Sequence, residues 1–498
     1  MTNSWFGWLA FAGAVVAVAI PSVDVRDTGA LGDGVTDDTA AIQAAIDQAA
    51  ALVMTTATDK PHQARATLSS GVFVSGTIYL RRGVVLFVDR TAILRASTNG
   101  TLFPRDSAWP YQGALVVGDS ADSSAVSGTG IIDGQAPHFV TSLNGATDQF
   151  TFAQYAAPTG ARFRVRLVDF RHSTNVSLVG VTLADATSFH AHFLNCSKVL
   201  VEGVTVDSDL RWPNCDGIDV TSCNDTVIRK CHVRTGDDAF SPKTWDGYGP
   251  LQNLLIEDSS FHSRSGGIHF GASAWHDYIN VTVRRVRVLD AHNGLLVQVR
   301  GPGSVRGLTV ENVAISRATF NAPCTPWMGN AQPIVLSADV WQGGPAGSAC
   351  VPGGVPQCGS IEGVRIENVT AQAENGIMIS GPVGGVRNVS LAGLRLVLQQ
   401  KPANNASFGP CASRNYWPTS RRTPEPEGGV RAPVDGIFIE HARDISIDDV
   451  SVSFVGQPKP GNTFGRCINI DRNTTAGVAV APGSLRCIDG SKDSARLG

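Results

Sequence analysis

The chain has 498 residues, 40 basic against 43 acidic, and its net charge of −3 comes without any basic run that could follow a phosphate backbone, which argues against nucleic acid as a partner. It is 43% hydrophobic and only 17% charged, the balance of an ordered protein, and 53 Gly beside 4 Met suit strands and turns better than helices. No linker or low-complexity stretch divides the sequence, so one elongated repeat architecture can account for its length.

In chain order, the first element is an apolar run from Trp5 to Ile20 that ends in the small-residue pattern Ala17-Val18-Ala19. It is the length of a secretory h-region, so residues 1–19 are expected to be a signal peptide and 20–498 the exported, extracellular chain; an uncleaved membrane anchor is the alternative reading. Nothing after Ile20 is long and apolar enough to span a bilayer, so no membrane contact is expected after cleavage.

The segment TDDTAAIQAAIDQAA, Thr36 to Ala50, predicts a helix with Asp and Thr candidates for its N-cap and with Ile42, Ala45, Ile46 and Ala49 on one face. Placed before a stack of strands, it would cover the open end, which would otherwise invite aggregation.

From about residue 160 short apolar–polar alternations recur, among them NVSLVGVTL, KVLVEGVTV, DTVIRKCHV, NLLIEDSSF, NVTVRRVRV and ISIDDVSVSF. Strict alternation over four to eight residues indicates strand, and each piece is too short to bury its apolar face without stacked neighbours. Aligning Ile218, Phe240, Ile268 and Leu295 as equivalent inward residues gives steps of 22, 28 and 27 residues. Such steps suit one coil of a parallel β-helix and are too short for four-stranded propeller blades. The expectation is an all-β chain folded as a single right-handed parallel β-helix catalytic domain over 20–498, monomeric, with an N-terminal capping helix and irregular insertions near 320–360 and 400–435.

With Ile218 inward, alternation sends Asp219 outward, then Ser241 and Lys243, His269, and Gln298 with Arg300 in later coils, beside small residues that leave room for a ligand. Asp216 precedes the first of these strands and Asp238 follows it by 22 residues, in register one coil later. Adjacent strands lie roughly 4.8 Å apart, so Asp216, Asp237 and Asp238 should crowd one patch and raise at least one pKa. A protonated acid can then donate to a leaving-group oxygen while an ionised partner activates water. An Asp-Asp pair is also a common solvated turn, and clustered carboxylates can hold calcium; the register of Asp216 with the pair counts against the turn. No metal or other cofactor is assigned.

Cys324, Cys350, Cys358 and Cys411 fall in Pro/Gly-rich loops and Cys467 with Cys487 flanks another, so disulfides are expected there, while Cys196, Cys223 and Cys231 in the repeats read equally as buried thiols. Asn-x-Ser/Thr sequons, for example at Asn175, Asn280 and Asn388, agree with export or are turn residues of the repeat.

At the carboxylates the segment WPNCDGIDVTSCNDTVIRKCHVRTGDDAFSPKT resembles the Asn-x-Asp and Gly-Asp-Asp blocks of glycoside hydrolase family 28, the polygalacturonase and rhamnogalacturonase family. The likeness runs from DVRDTGALGDGVTDDTAAIQAAID through GTGIIDG to GIFIEHARDISIDDVSVSF, nearly the whole mature chain. The resemblance implies a pectin-lyase-like β-helix and an inverting hydrolase of a pectin-like polysaccharide. Asp237 would be general acid, Asp216 with Asp238 would activate water, and Asn214 would fix the geometry, with Asp219, Lys243, His269, Gln298 and Arg300 on the substrate side. The sequence departs from the pattern twice. Gly266 stands where the polygalacturonase histidine belongs, with His269 three residues further, and Leu296-Val297-Gln298 replaces the uronate-binding Arg-Ile-Lys, with Arg300 displaced. The chain is thus similar to a divergent branch. Two rival readings stay open: a pectate-lyase-like or epimerase enzyme using Lys243 or Arg300 as base, and a non-catalytic carbohydrate-binding wall protein.

Overall fold

The computed structural model describes residues 20–55, 63–104, 113–144, 149–152, 164–271, 273–319, 331–338, 358–381, 385–399, 434–456 and 464–489. The expected signal segment 1–19, Cys324, Cys350, Cys411 and most of the two expected insertions lie outside them.

Short strands, each one pass of a coil, pair in parallel with the equivalent strand of the next coil. One ladder of 12 strands among the described residues runs from Ile78–Tyr79 to Ile468–Ile470. Its register places Ile218 opposite Phe240, Phe240 opposite Ile268, Ile268 opposite Leu295 and Leu295 opposite Ile334. All five side chains are buried, so the expected inward column is present. The other faces of the coil stack in a second parallel system, in which two short strands per coil merge near the C-terminal end into long bent ones such as Val305–Ala318 and Ile361–Ala373. This is the parallel β-helix, in the right-handed sense that parallel crossovers adopt.

Corners between faces need the left-handed backbone region, and the sequence supplies it at fixed positions. Asn175, Lys198, Asp225, Asn253 and Asn280 stack one above the next with φ between +53° and +60°. Asn and Asp tolerate that conformation best among residues with a side chain. Asn280 Nδ2 donates to Asn253 Oδ1 and Asn253 Nδ2 to Asp225 Oδ1, both at 2.8 Å, so the turn residues also tie coil to coil. The sequon asparagines Asn175 and Asn280 are therefore turn residues of the repeat.

The helix α1 spans Thr39–Thr55, three residues later than the sequence predicts at its start. Thr36 and Asp37 belong to the strand Asp33–Asp37. The Asp37 carboxylate accepts from Thr39 N at 3.0 Å, while the Asp38 side chain is drawn away to Leu31 N and Gly32 N at 2.7 and 3.0 Å. Ile42, Ala45, Ile46 and Ala49 are fully buried against the first coil, as a cap requires. Cys467 and Cys487 form a disulfide, and Cys196, Cys215, Cys223 and Cys231 are buried free thiols. No described helix is long and apolar enough to cross a membrane.

Candidate active site

The strands Ile218–Thr221, Phe240–Lys243 and Gly266–Phe270 turn alternate residues out of the coil onto one face. Asp219 stands opposite Ser241, and Thr221 opposite Lys243. Gly217 N donates to Asp238 O at 2.9 Å, which sets Asp216 beside Asp238 one coil on, the register expected from the 22-residue step. Asp216, Asp237 and Asp238 are recessed, each only 5–6% exposed.

Their partners differ. Among the described residues Asp237 receives neutral amides only: Asn214 N and Asn214 Nδ2 donate to Oδ2 at 3.0 and 3.4 Å, and Asp238 N donates to Oδ1 at 2.9 Å. Burial, then the Asp216 and Asp238 charges, push its carboxyl well above the usual range. Asp216 is met by a cation, Lys243 Nζ at 2.9 Å from Oδ2. Burial still raises its pKa, with Lys243 opposing that rise and Asp238 adding to it. Asp238 also has three donors, but closer ones: Ser265 Oγ at 2.7 Å, Gly266 N at 2.9 Å and His269 Nδ1 at 2.6 Å. Burial alone would raise Asp238, but His269, then Lys243 and Ser265, hold it below the ordinary value.

Lys243 is shared. Its ammonium also bonds Asp219, which is completely buried and whose carboxyl is pushed well up by burial and by Asp216. Burial opposes the Lys243 charge, yet Asp216, Asp219 and Asp238 together raise its pKa. The ammonium thus occupies a position between carboxylates that a hard cation could otherwise take. Asp219 and Lys243, both expected on the substrate side, are bonded to each other.

His269, three residues beyond the position of the family histidine, reaches Asp238 because the outward register carries its ring back toward the preceding coil. Gly266 fits that arrangement: a Cβ there would lie 2.9 Å from His269 Cβ and 3.0 Å from Asp238 Oδ1. Gln298 and Arg300 are buried on the same face two coils beyond Lys243, roughly 10 Å along the stack, and Leu296 stands opposite His269. The structure therefore brings Asn214, Asp216, Asp219, Asp237, Asp238, Lys243 and His269 together, with Gln298 and Arg300 further along.

Sequence reasoning missed several neighbours. Arg164 Nη2 donates to Asn214 Oδ1 at 3.1 Å and Nη1 to Pro213 O at 2.7 Å, clamping the loop that feeds Asp237. The only signal was the alternating charge of RFRVRLVDFR, which reads as a solvated strand. In that strand Asp169 is fully buried, bound by Arg166 at 3.1 Å, by Arg171, and by His192 Nδ1 at 3.0 Å. Burial pushes the His192 imidazole down to about 4.

Comparison with known proteins identifies relatives of the chain. The profile of glycosyl hydrolases family 28 matches residues 84–380. A Vitis vinifera protein described as "Probable polygalacturonase" is 25% identical over 60% of this chain and 60% of its own length. An "Endo-polygalacturonase" of Pectobacterium carotovorum subsp. carotovorum is 28% identical over 50% of this chain and 63% of its own. The chain thus spans 60–63% of the length of these curated relatives. Among solved structures, the family 28 exopolygalacturonase of Yersinia enterocolitica superposes with a TM-score of 0.64 at 18% identity, over 91% of this chain and 78% of that one. The polygalacturonase of Erwinia carotovora ssp. carotovora gives 0.57 at 22% identity, over 74% and 92%. Both share the fold.

Proposed function

Because the chain belongs to glycosyl hydrolases family 28, we propose that it hydrolyses O-glycosidic bonds of a pectin-like or related acidic polysaccharide outside the cell, inverting the anomeric centre. The observation that carries the reading is the unequal electrostatics of three neighbouring aspartates. Among the described residues no cation is bonded to Asp237, and burial, then the charges of Asp216 and Asp238, raise its pKa, so of the three it is the one suited to carry a proton and give it to the departing oxygen. Asp238, held low by His269 after burial has opposed it, is ionised. Asp216, bound to the Lys243 ammonium, joins Asp238 in drawing a proton from the attacking water. Inversion asks for about 6.5–9.5 Å between acid and base carboxyls, enough to admit that water. Asn214, bonding Asp237 through both backbone and side chain, orients the acid.

Elimination by a lysine base is less well supported. Lys243 lies between Asp216 and Asp219 with its pKa raised, so it holds the proton that a lyase base must lose.

The test separates the two roles. Asp237→Asn should lower kcat by about 10²- to 10⁴-fold, the usual worth of general acid catalysis, with binding largely kept. A substrate with an activated leaving group should restore part of that rate and none of the loss in Asp216→Asn. Equal rescue of both variants, or near wild-type rates for either, would return the aspartates to a structural role.

A further inference from the structure

The chemistry assigned above makes no use of the aromatic side chains that follow Lys243. After that strand the chain turns back over the outer face: Trp245 N donates to Ser222 Oγ of the preceding coil at 3.3 Å. The indole reaches a coil further, with its centroid 5.3 Å from the ring of His192. In register His192 stands opposite Asp219, so Trp245 flanks the carboxylate cluster on its N-terminal side.

The ring beneath Trp245 is fixed with unusual care. His192 is fully buried, with Nδ1 3.0 Å from Asp169 Oδ1 and 2.9 Å from Arg166 Nη1, and Nε2 3.1 Å from Thr221 Oγ1. Phe189 closes edge-on to it at 5.8 Å and also carries Lys243 Nζ 4.8 Å above its own ring. Burying an Arg–Asp–His group is costly unless every member is bonded, and here the bonds lock the imidazole that supports the indole. Tyr248 extends the flank, stacked at 6.1 Å and 21° on His172. Phe189 and His192 are buried, whereas Trp245 and Tyr248 are half-exposed, so the outer two rings present surface beside the cluster.

We infer that Trp245 and Tyr248 form a sugar-stacking subsite that takes the apolar C–H face of a pyranose, in the unit neighbouring the one held over Asp216 and Asp237. The inference rests on the polysaccharide-hydrolase reading and adds where a second sugar sits and how it is chosen. A rigid aromatic ring offers large contact area at small entropic cost, and one supported from behind loses least on binding. The cations nearby are engaged, Lys243 with Asp216 and Asp219, and Arg166 and Arg171 with Asp169. The subsite therefore selects the shape of a sugar face rather than its carboxylate.

Binding is measured by calorimetry in the Asp237→Asn background, where turnover does not intrude, using oligosaccharides cut by partial acid hydrolysis from pectic and other acidic polysaccharides and fractionated by length. Trp245→Ala should weaken binding of the longer fractions by about tenfold or more, the scale of a buried aromatic anchor, and leave galacturonate monosaccharide unchanged. Trp245→Phe, which keeps an aromatic ring against His192, should fall between and serves if the alanine variant does not fold. Equal affinity of the Trp245 variants and their parent for the long fractions overturns the subsite and leaves the hydrolase reading standing. Failure of the Asp237→Asn parent itself to bind any fraction strikes at the hydrolase reading, and the subsite falls with it.

Discussion

A carboxylate's task is set by what donates to it, and the three recessed aspartates differ in little else. The burial and neighbouring charges that raise the pKa of Asp237, and on which its proposed role as proton donor rests, also make it a liability to the fold. Its folded pKa lies above the unfolded value, so the stability it contributes is complete below the unfolded pKa and is lost as pH rises through the folded one. Asp238 runs the other way: its pKa is depressed, so its contribution is present above the unfolded value and lost as pH falls through the folded value. Asp237→Asn removes the first loss at every pH but keeps an acceptor for only one of the two backbone donors, Asn214 N or Asp238 N, which lowers its stability by an amount that does not depend on pH. Its melting temperature relative to the wild type's should therefore rise from acid to neutral pH, the margin moving in the variant's favour. Thermal melts across that range decide the point; a margin that is constant or moves in the wild type's favour as pH rises contradicts the environment assigned to Asp237. The spacing of Asp216 and Asp238 was legible in the sequence because a parallel coil converts a 22-residue step into contact. The bond from His269 to Asp238 was not, since it depends on how far a ring on one coil leans toward the previous one.

At the scale of elements, the repeat was readable because alternation, turn residue and step length all point to the same coil. The Ile218 column and the left-handed Asn and Asp corners follow from that agreement. The charged strand Arg166–Arg171 misleads for a physical reason. Period-two alternation tells which face a side chain takes, but burial of that face is decided by what lies over it, here Trp245 and Phe189 arriving from later segments. The start of α1 shifted for a similar reason, because Asp38 spends its carboxylate on the Leu31–Gly32 turn and leaves the amide of Thr39 to Asp37. The cap itself should be worth a good part of the stack's stability. Ile46→Ala removes a fully buried side chain between α1 and the first coil and is expected to cost about 2–5 kcal/mol, read by denaturant unfolding. A loss within about 0.5 kcal/mol, the range of surface substitutions, would mean that the end of the helix is closed without α1.

For the whole molecule, the charge around the carboxylate cluster bears on which polymer the proposed hydrolase can take. Leu296 stands in the coil after His269 where a uronate-binding polygalacturonase would place a cation, and Lys243 is already bonded to two carboxylates. A uronate in a partly dry subsite needs a paired cation, so unsubstituted polygalacturonate should be turned over poorly beside the best pectic or other acidic polysaccharide of a panel. Comparable kcat/KM values would assign the missing charge to Arg300, two coils along. The reaction itself is tested most directly by following the first turnovers on that best substrate by proton NMR. Hydrolysis with Asp237 as acid and Asp216 with Asp238 as base predicts a new reducing end whose first-formed anomer is inverted relative to the cleaved bond, before mutarotation. A retained anomer, or an unsaturated ultraviolet-absorbing sugar in place of a hydrated one, would contradict it.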